Sequence, residues 1–151
     1  MKIEYYDNNL SARDYNLLRQ SVGWSVPDEM SSKKAIDNSL YICSAYYHGI
    51  AIGSGRVVGD GALAFSIQDV MVLPAYQRHF GVGKKIMYKL LDYIKSNASP
   101  EADIYGMSAK NREGFYINLG FVERPTSQLG AGLVLPYEIL QSMDIDGRND
   151  P

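Results

Sequence analysis

Several features that would name a chemistry at once are scarce in this sequence. There is one cysteine, Cys43, so no internal disulfide can form, and its place in "LYICSAYY" suits a small core residue better than a reactive thiol. Two histidines, His48 and His79, stand far apart without ligand-spaced companions, so no metal site is expected. Positive charge is not in excess: 15 Lys and Arg meet 17 Asp and Glu, for a net charge of -2. That balance argues against a nucleic-acid partner, which calls for a basic field to neutralise phosphates. No apolar run approaches the roughly 20 residues of a membrane helix, and "MKIEYYDNNL" lacks the apolar centre of a signal peptide. The expectation is a cytoplasmic protein with no membrane partner.

What is present reads as one globular domain: 151 residues, 46% hydrophobic and 21% charged. A short strand around 2–6 precedes "SARDYNLLRQSVGW", where Ser11 is a candidate N-cap and Tyr15, Leu18 and Val22 recur at helical spacing. A weaker helix follows Pro27 and stops before Asn38. Aromatic and β-branched runs cut by Gly49, Gly53, Gly55, Gly59 and Gly61 then predict three consecutive antiparallel strands. In the last of these, alternation puts Ile67, Asp69 and Met71 on one face.

"GVGKKIMYKLLDYIKSN" carries Val82, Ile86, Leu90 and Ile94 four apart and is the strongest helix. "ADIYGMSA" predicts a strand, "NREGFYINLG" a short helix stopped by Gly120, and further strands are expected at 120–122 and 132–137. Residues 144–151 read as a polar tail. The class is α/β (α+β), a mixed, largely antiparallel sheet flanked by helices.

The chemistry lies in "VLPAYQRHFGVGKK". A strand, a glycine loop and a long helix together present free backbone N–H groups and a helix dipole to an anion, most naturally a phosphate. Gly81 and Gly83 allow close backbone approach, and Arg78, Lys84 and Lys85 add positive charge. A P-loop is excluded because Arg78 replaces its first glycine and Lys85 its Ser or Thr. The dinucleotide fingerprint fails at Ile86, where its third glycine belongs.

The pattern that fits is Arg78-His79-Phe80-Gly81-Val82-Gly83, followed at a distance by "SAKNREGFYINLGFVERP". In these two segments the sequence resembles the GCN5-related N-acetyltransferase (GNAT) family, and the resemblance runs over about 41–137. It implies a GNAT-type fold over 1–143, with 1–39 as the acceptor arm and 40–140 as the cofactor-binding core. It implies acetyl-coenzyme A as cofactor, its pyrophosphate on Arg78, His79, Phe80, Gly81, Val82, Gly83 and Lys84. The pantetheine arm would lie along Met71, Val72 and Leu73, where a backbone N–H at Val72 can polarise the thioester carbonyl.

Tyr116 occupies the family's general-acid position, against the alternative of a core aromatic. Asn111 resembles the asparagine that bonds the coenzyme arm, and a helix N-cap would explain it too. The resemblance puts Ile67 where histone-acetylating members carry a glutamate base. Asp69, of the same strand parity, is the nearest carboxylate; a base acting directly or through water and a structural hydrogen bond are both open for it. Trp24 either lines the acceptor pocket or plugs the core.

The activity implied is transfer of acetyl from acetyl-coenzyme A to a primary amine of a small molecule or peptide by direct attack. The rival is a non-catalytic acyl-coenzyme A binding or sensing module. Open sheet edges make a homodimer the expected assembly.

Overall fold

A computed structural model of the protein describes residues 1–145. In chain order the elements are β1 (Glu4–Asp7), α1 (Ala12–Ser21), α2 (Glu29–Asp37), β2 (Tyr41–Tyr47), β3 (Ile50–Gly59), β4 (Ala64–Val72), a 3-10 turn (Pro74–Tyr76), α3 (Val82–Asn97), β5 (Asp103–Gly106), α4 (Glu113–Ile117) and α5 (Tyr137–Ser142). The strands form one five-stranded sheet in the order β1-β2-β3-β4-β5. The first three pairings are antiparallel and the β4–β5 pairing is parallel, giving the mixed sheet expected.

Local chemistry sets these boundaries. Ser11 caps α1 by accepting the Asp14 N–H at 3.0 Å, and Asp28 caps α2 from Ser31 at 2.8 Å. Between β2 and β3, His48 and Gly49 both take positive φ (49° and 75°), the primed turn that matches strand twist. Between β3 and β4 the Asp60 carboxylate accepts the N–H groups of Ala62, Leu63 and Ala64. Those three bonds hold it below the usual carboxylate range.

Each face of the sheet takes its own helices. On one, α1 buries Tyr15 and Leu18 with Leu10, Ile42 and Met71. On the other, α3 buries Val82, Ile86, Met87, Leu90 and Ile94, the apolar stripe read from the sequence. This second layer packs closely because β3 offers no side chain at Gly53 and Gly55. A Cβ on Gly55 would stand 2.9 Å from Leu90 Cδ1 and 3.0 Å from Ile86 Cγ2, and one on Gly53 3.0 Å from Ile86 Cδ1.

At the margin Tyr41 stacks on Tyr93, with ring centres 5.0 Å apart. Asp7 there accepts from Lys89 at 2.8 Å and from the Tyr41 hydroxyl at 2.6 Å, and these two bonds lower its pKa. Cys43 is fully buried, and desolvation pushes its thiol up to about 11, which makes it a core residue in fact.

The chain divides into two compact units, 1–107 and 108 onward. The whole sheet belongs to the first. In the second, α4 and α5 are the regular elements among the described residues, and the strands expected at 120–122 and 132–137 are not formed. Gly120, at φ 103°, and Phe121 spend their N–H groups on the carbonyls of Ile117 and Tyr116, closing the turn after α4. Further on, Pro136 is the N-cap of α5, so Tyr137 begins a helix. Residues 132–135 are extended in composition yet have no ladder, because strand propensity alone supplies no partner edge. Of the expected polar tail, 146–151 lie outside the described residues.

The glycine floor under α3 yields a direct expectation. Gly55→Val will lower stability by about 1–3 kcal/mol through overpacking against Leu90 and Ile86. A urea midpoint that falls at unchanged slope is the expected reading, and an unchanged midpoint would show that α3 is not held this closely.

Candidate active site

β4 contains one residue more than β3 can pair. Met71 lies opposite Ser54 and Gln68 opposite Arg56, so Gly55 alone faces both Asp69 and Val70, which is a β-bulge. Asp69 takes a left-handed backbone there, φ 53°. The extra residue inverts the strand's parity. Ile67, paired with Val57, lies on the α3 face, whereas Met71 packs with Tyr15 and Leu18 on the α1 face. The common face expected for Ile67, Asp69 and Met71 is therefore corrected: simple alternation does not survive a bulge.

A polar cluster holds this bulge. Asp69 Oδ2 accepts the Tyr15 hydroxyl at 2.6 Å and Arg56 Nε at 2.7 Å, and Arg19 Nη1 stands 3.6 Å from Oδ1. Arg19 also donates to the Tyr15 hydroxyl at 3.1 Å and, through Nε, to the Ser25 carbonyl at 2.6 Å. The two guanidinium side chains are 18% exposed and the carboxylate 14%, so water screens these contacts only partly. Burial first, and donation to Asp69 second, raise the Tyr15 pKa and keep it a protonated donor. Trp24 packs against the apolar cluster around Tyr15 and Leu18, with the Arg19 guanidinium 5.7 Å from its ring centre.

Past the bulge, β4 parts from β5. Their pairing runs from Ala64↔Asp103 to Ile67↔Gly106 and stops, although β4 continues to Val72. Leu73 N–H points to β3, donating to the Ile52 carbonyl at 2.8 Å. Since backbone groups alternate sides along a strand, the N–H of Val72 points away from β3, into the side that β5 has left open. The Val72 carbonyl on that side accepts Gln77 Nε2 at 2.8 Å. Met71 is buried, and Val72 and Leu73 are half-buried.

The loop continues directly from this strand end. Arg78, His79 and Phe80 are exposed, and Arg78 and Gly81 both take left-handed φ, 70° and 65°. Such turns curl backbone N–H groups into an anion-accepting concavity. Gly81 is the N-cap of α3 and offers no capping side chain, so the N–H groups of Val82, Gly83 and Lys84 lack the partner a Ser or Asp would give. The first turn of α3 has no acidic residue. Lys84 packs its ammonium 5.6 Å from the Tyr88 ring. Uncapped donors, a favourable dipole and two lysines make this a fit for a diphosphate.

The second unit holds the other two expected residues. Asn111 is exposed at φ 66°, a left-handed position that asparagine tolerates well. It does not cap α4, whose N-cap is Arg112, so the capping alternative is not realised. Tyr116 is half-buried, edge-on to Phe115 at 5.3 Å and to Phe121 at 5.6 Å. Its hydroxyl meets no acceptor among the described residues, and desolvation raises its pKa.

Tyr15, Arg19 and Arg56 were not singled out as site residues in the sequence. They lie 54, 50 and 13 residues from Asp69, and nothing local joins them. Arg56, a charge inside the strand "IGSGRVVG", was the one available signal.

Comparison with known proteins agrees with this geometry. The family model for the acetyltransferase (GNAT) domain matches residues 19–140. An uncharacterized N-acetyltransferase ycf52-like of Prochlorococcus marinus is 40% identical over 82 residues, 52% of this chain and 45% of that protein. The chloroplastic GCN5-related N-acetyltransferase 3 of Arabidopsis thaliana is 35% identical over 77 residues, 49% of this chain and 30% of that one. The aligned part is thus less than half the length of these curated relatives. Among solved structures, a probable acetyltransferase of unknown function from Staphylococcus aureus superposes with a TM-score of 0.81 at 28% identity, covering 90% of this chain and all of that one. A GNAT family protein of Streptococcus pneumoniae gives 0.74 at 29% identity, covering 89% and 98%. With one family model spanning most of its length, and with the bulged strand, open gap and glycine loop in place, this chain belongs to the GNAT acetyltransferase family.

Proposed function

We propose that the protein transfers acetyl from acetyl-coenzyme A to a primary amine of a small molecule or peptide, by direct attack in a ternary complex. The observation that carries this reading is the continuity of two donor sets in one unit: the Val72 N–H on the open side of β4, and the uncapped N-terminus of α3 nine residues on. The cofactor brings an activated thioester; the residues of this chain supply the rest. Arg78, His79, Phe80, Gly81, Val82, Gly83 and Lys84 hold its diphosphate, largely through backbone N–H groups. Met71, Val72 and Leu73 extend beside its arm, and the Val72 N–H stabilises negative charge that develops on the carbonyl oxygen. Asn111 is assigned to the arm, as the family resemblance implies, and Trp24 to the border of the acceptor.

Tyr116 donates the proton that the departing thiolate needs. Its raised pKa keeps it protonated through neutral pH, so no loss of turnover from its ionisation is expected below about 10, the ordinary tyrosine value. Asp69 was the candidate for the opposite transfer, from the amine. Its oxygens are already engaged by the Tyr15 hydroxyl and by the guanidinium groups of Arg56 and Arg19. Within this proposal the amine proton leaves through water, and Asp69 holds the bulge that aims Val72. The same engagement of Asp69 is what favours the rival reading of a coenzyme A binding module without acyl transfer.

Thiol release from acetyl-coenzyme A across a panel of amines separates the two. Acceptor-dependent release is expected; tight cofactor binding with no release from any amine would establish the rival. Tyr116→Phe will reduce turnover about 100-fold or more with little change in cofactor affinity. Unaltered turnover would take Tyr116 out of the acid role. Asp69→Asn will raise the KM for acetyl-coenzyme A and lower the melting temperature, with a smaller loss of kcat. A fall in kcat of about 100-fold or more at unchanged KM, with loss of the acidic limb of the pH profile, would instead make Asp69 the base.

A further inference from the structure

The loop ahead of α3 makes little use of its own donors. Backbone donation stops at Gln77, whose N–H reaches the Pro74 carbonyl at 3.3 Å, and resumes at Lys85, which donates to Gly81 at 2.9 Å. From Arg78 to Lys84 no backbone N–H donates to a backbone carbonyl among the described residues. Yet the loop has a defined and uncommon shape, with Arg78 and Gly81 both left-handed. For an arginine such a backbone persists only where its surroundings impose it. A loop that keeps its N–H groups for a ligand cannot also use them to fold itself. It has to be held by contacts that consume no donor.

Aromatic rings supply such contacts. Tyr76 ends the 3-10 turn, its N–H on the Leu73 carbonyl at 2.8 Å. Its ring stands at an angle between two others, with centres 6.1 Å from Tyr47 and 5.9 Å from Phe80 and planes inclined at 60° and 50°. The row continues at both ends, from Tyr47 to His48 at 4.2 Å and from Phe80 to His79 at 6.2 Å. These separations and tilts are the ones aromatic pairs favour. Tyr47 is itself fixed in the sheet, because it ends β2 and pairs with Ile50 of β3. Two residues on, the Ile52 carbonyl accepts the Leu73 N–H where β4 has just ended. The row of rings thus runs from a rigid hairpin, across the 3-10 turn, to the middle of the loop, and all of it lies in the first unit.

We propose that Tyr76 is a positioning residue for the donor: set between Tyr47 and Phe80, it holds residues 78–81 in the shape that leaves their N–H groups to a diphosphate. The inference rests on the reading of this loop as the diphosphate site, and adds to that site a residue that acts through Phe80 and touches no ligand. The ring, not the hydroxyl, does the holding.

Calorimetric titration of the full chain with coenzyme A tests it. The wild type is expected to bind. Tyr76→Leu removes both ring contacts and is expected to weaken binding about 10-fold, whereas Tyr76→Phe, which keeps the ring, should bind like the wild type. Phe80→Leu is expected to weaken binding about fivefold, and it serves by itself should Tyr76→Leu not fold. The double variant should bind about as tightly as Tyr76→Leu alone, because both changes remove one shared contact. A tyrosine with a merely structural role would lower the melting temperature and leave the affinity of the folded variant unchanged. Undiminished affinity in folded Tyr76→Leu or Phe80→Leu, fully additive losses in the double variant, or a loss that persists in Tyr76→Phe would each overturn the inference, while binding by the wild type upholds the site. A wild type that does not bind coenzyme A would overturn the site itself, and this inference with it.

Discussion

The bulge at Asp69 and Val70 sets the direction of every backbone group beyond it in β4, and the site follows from that direction. Without the extra residue, Gly55 would face one partner and the strand would keep its parity to the end. With it, Met71 turns to the α1 face while the Val72 N–H points into the space that β5 leaves after Ile67↔Gly106. A left-handed aspartate costs conformational energy, so the surroundings must over-determine it. Tyr15, Arg56 and Arg19 do so from two other elements, α1 and β3, which ties the arm that carries Trp24 to the strand that carries Val72.

The opposite face answers a different demand. The N-terminus of α3 has to stand close to the end of β4 if one diphosphate-bearing ligand is to use both. Gly53 and Gly55 let α3 settle directly on β3, and Val82, Ile86 and Leu90 lock its rotation. The same helix begins at a glycine without a capping side chain, which leaves its first N–H groups for a ligand. Close packing and an uncapped end are thus two parts of one arrangement.

Much of this was legible in the sequence. The α3 stripe, the Ser11 cap, the three consecutive strands and the glycine loop are local patterns, and each formed where its spacing put it. The strands expected at 120–122 and 132–137 were not formed, because a strand needs an edge as well as a propensity. The parity argument for Asp69 failed for a related reason. A bulge is a mismatch between two strands, and neither strand's own alternation reveals it.

The sequence alone therefore determined the family, the glycine loop ahead of α3 and the identity of the helices, since these rest on short motifs, on spacing along the chain and on backbone freedom at particular glycines. Only the tertiary structure decided which groups Asp69 meets. Its partners come from α1 and β3, and whether a carboxylate is a free base or a tethered anchor depends on which charges the fold brings within hydrogen-bonding reach of it.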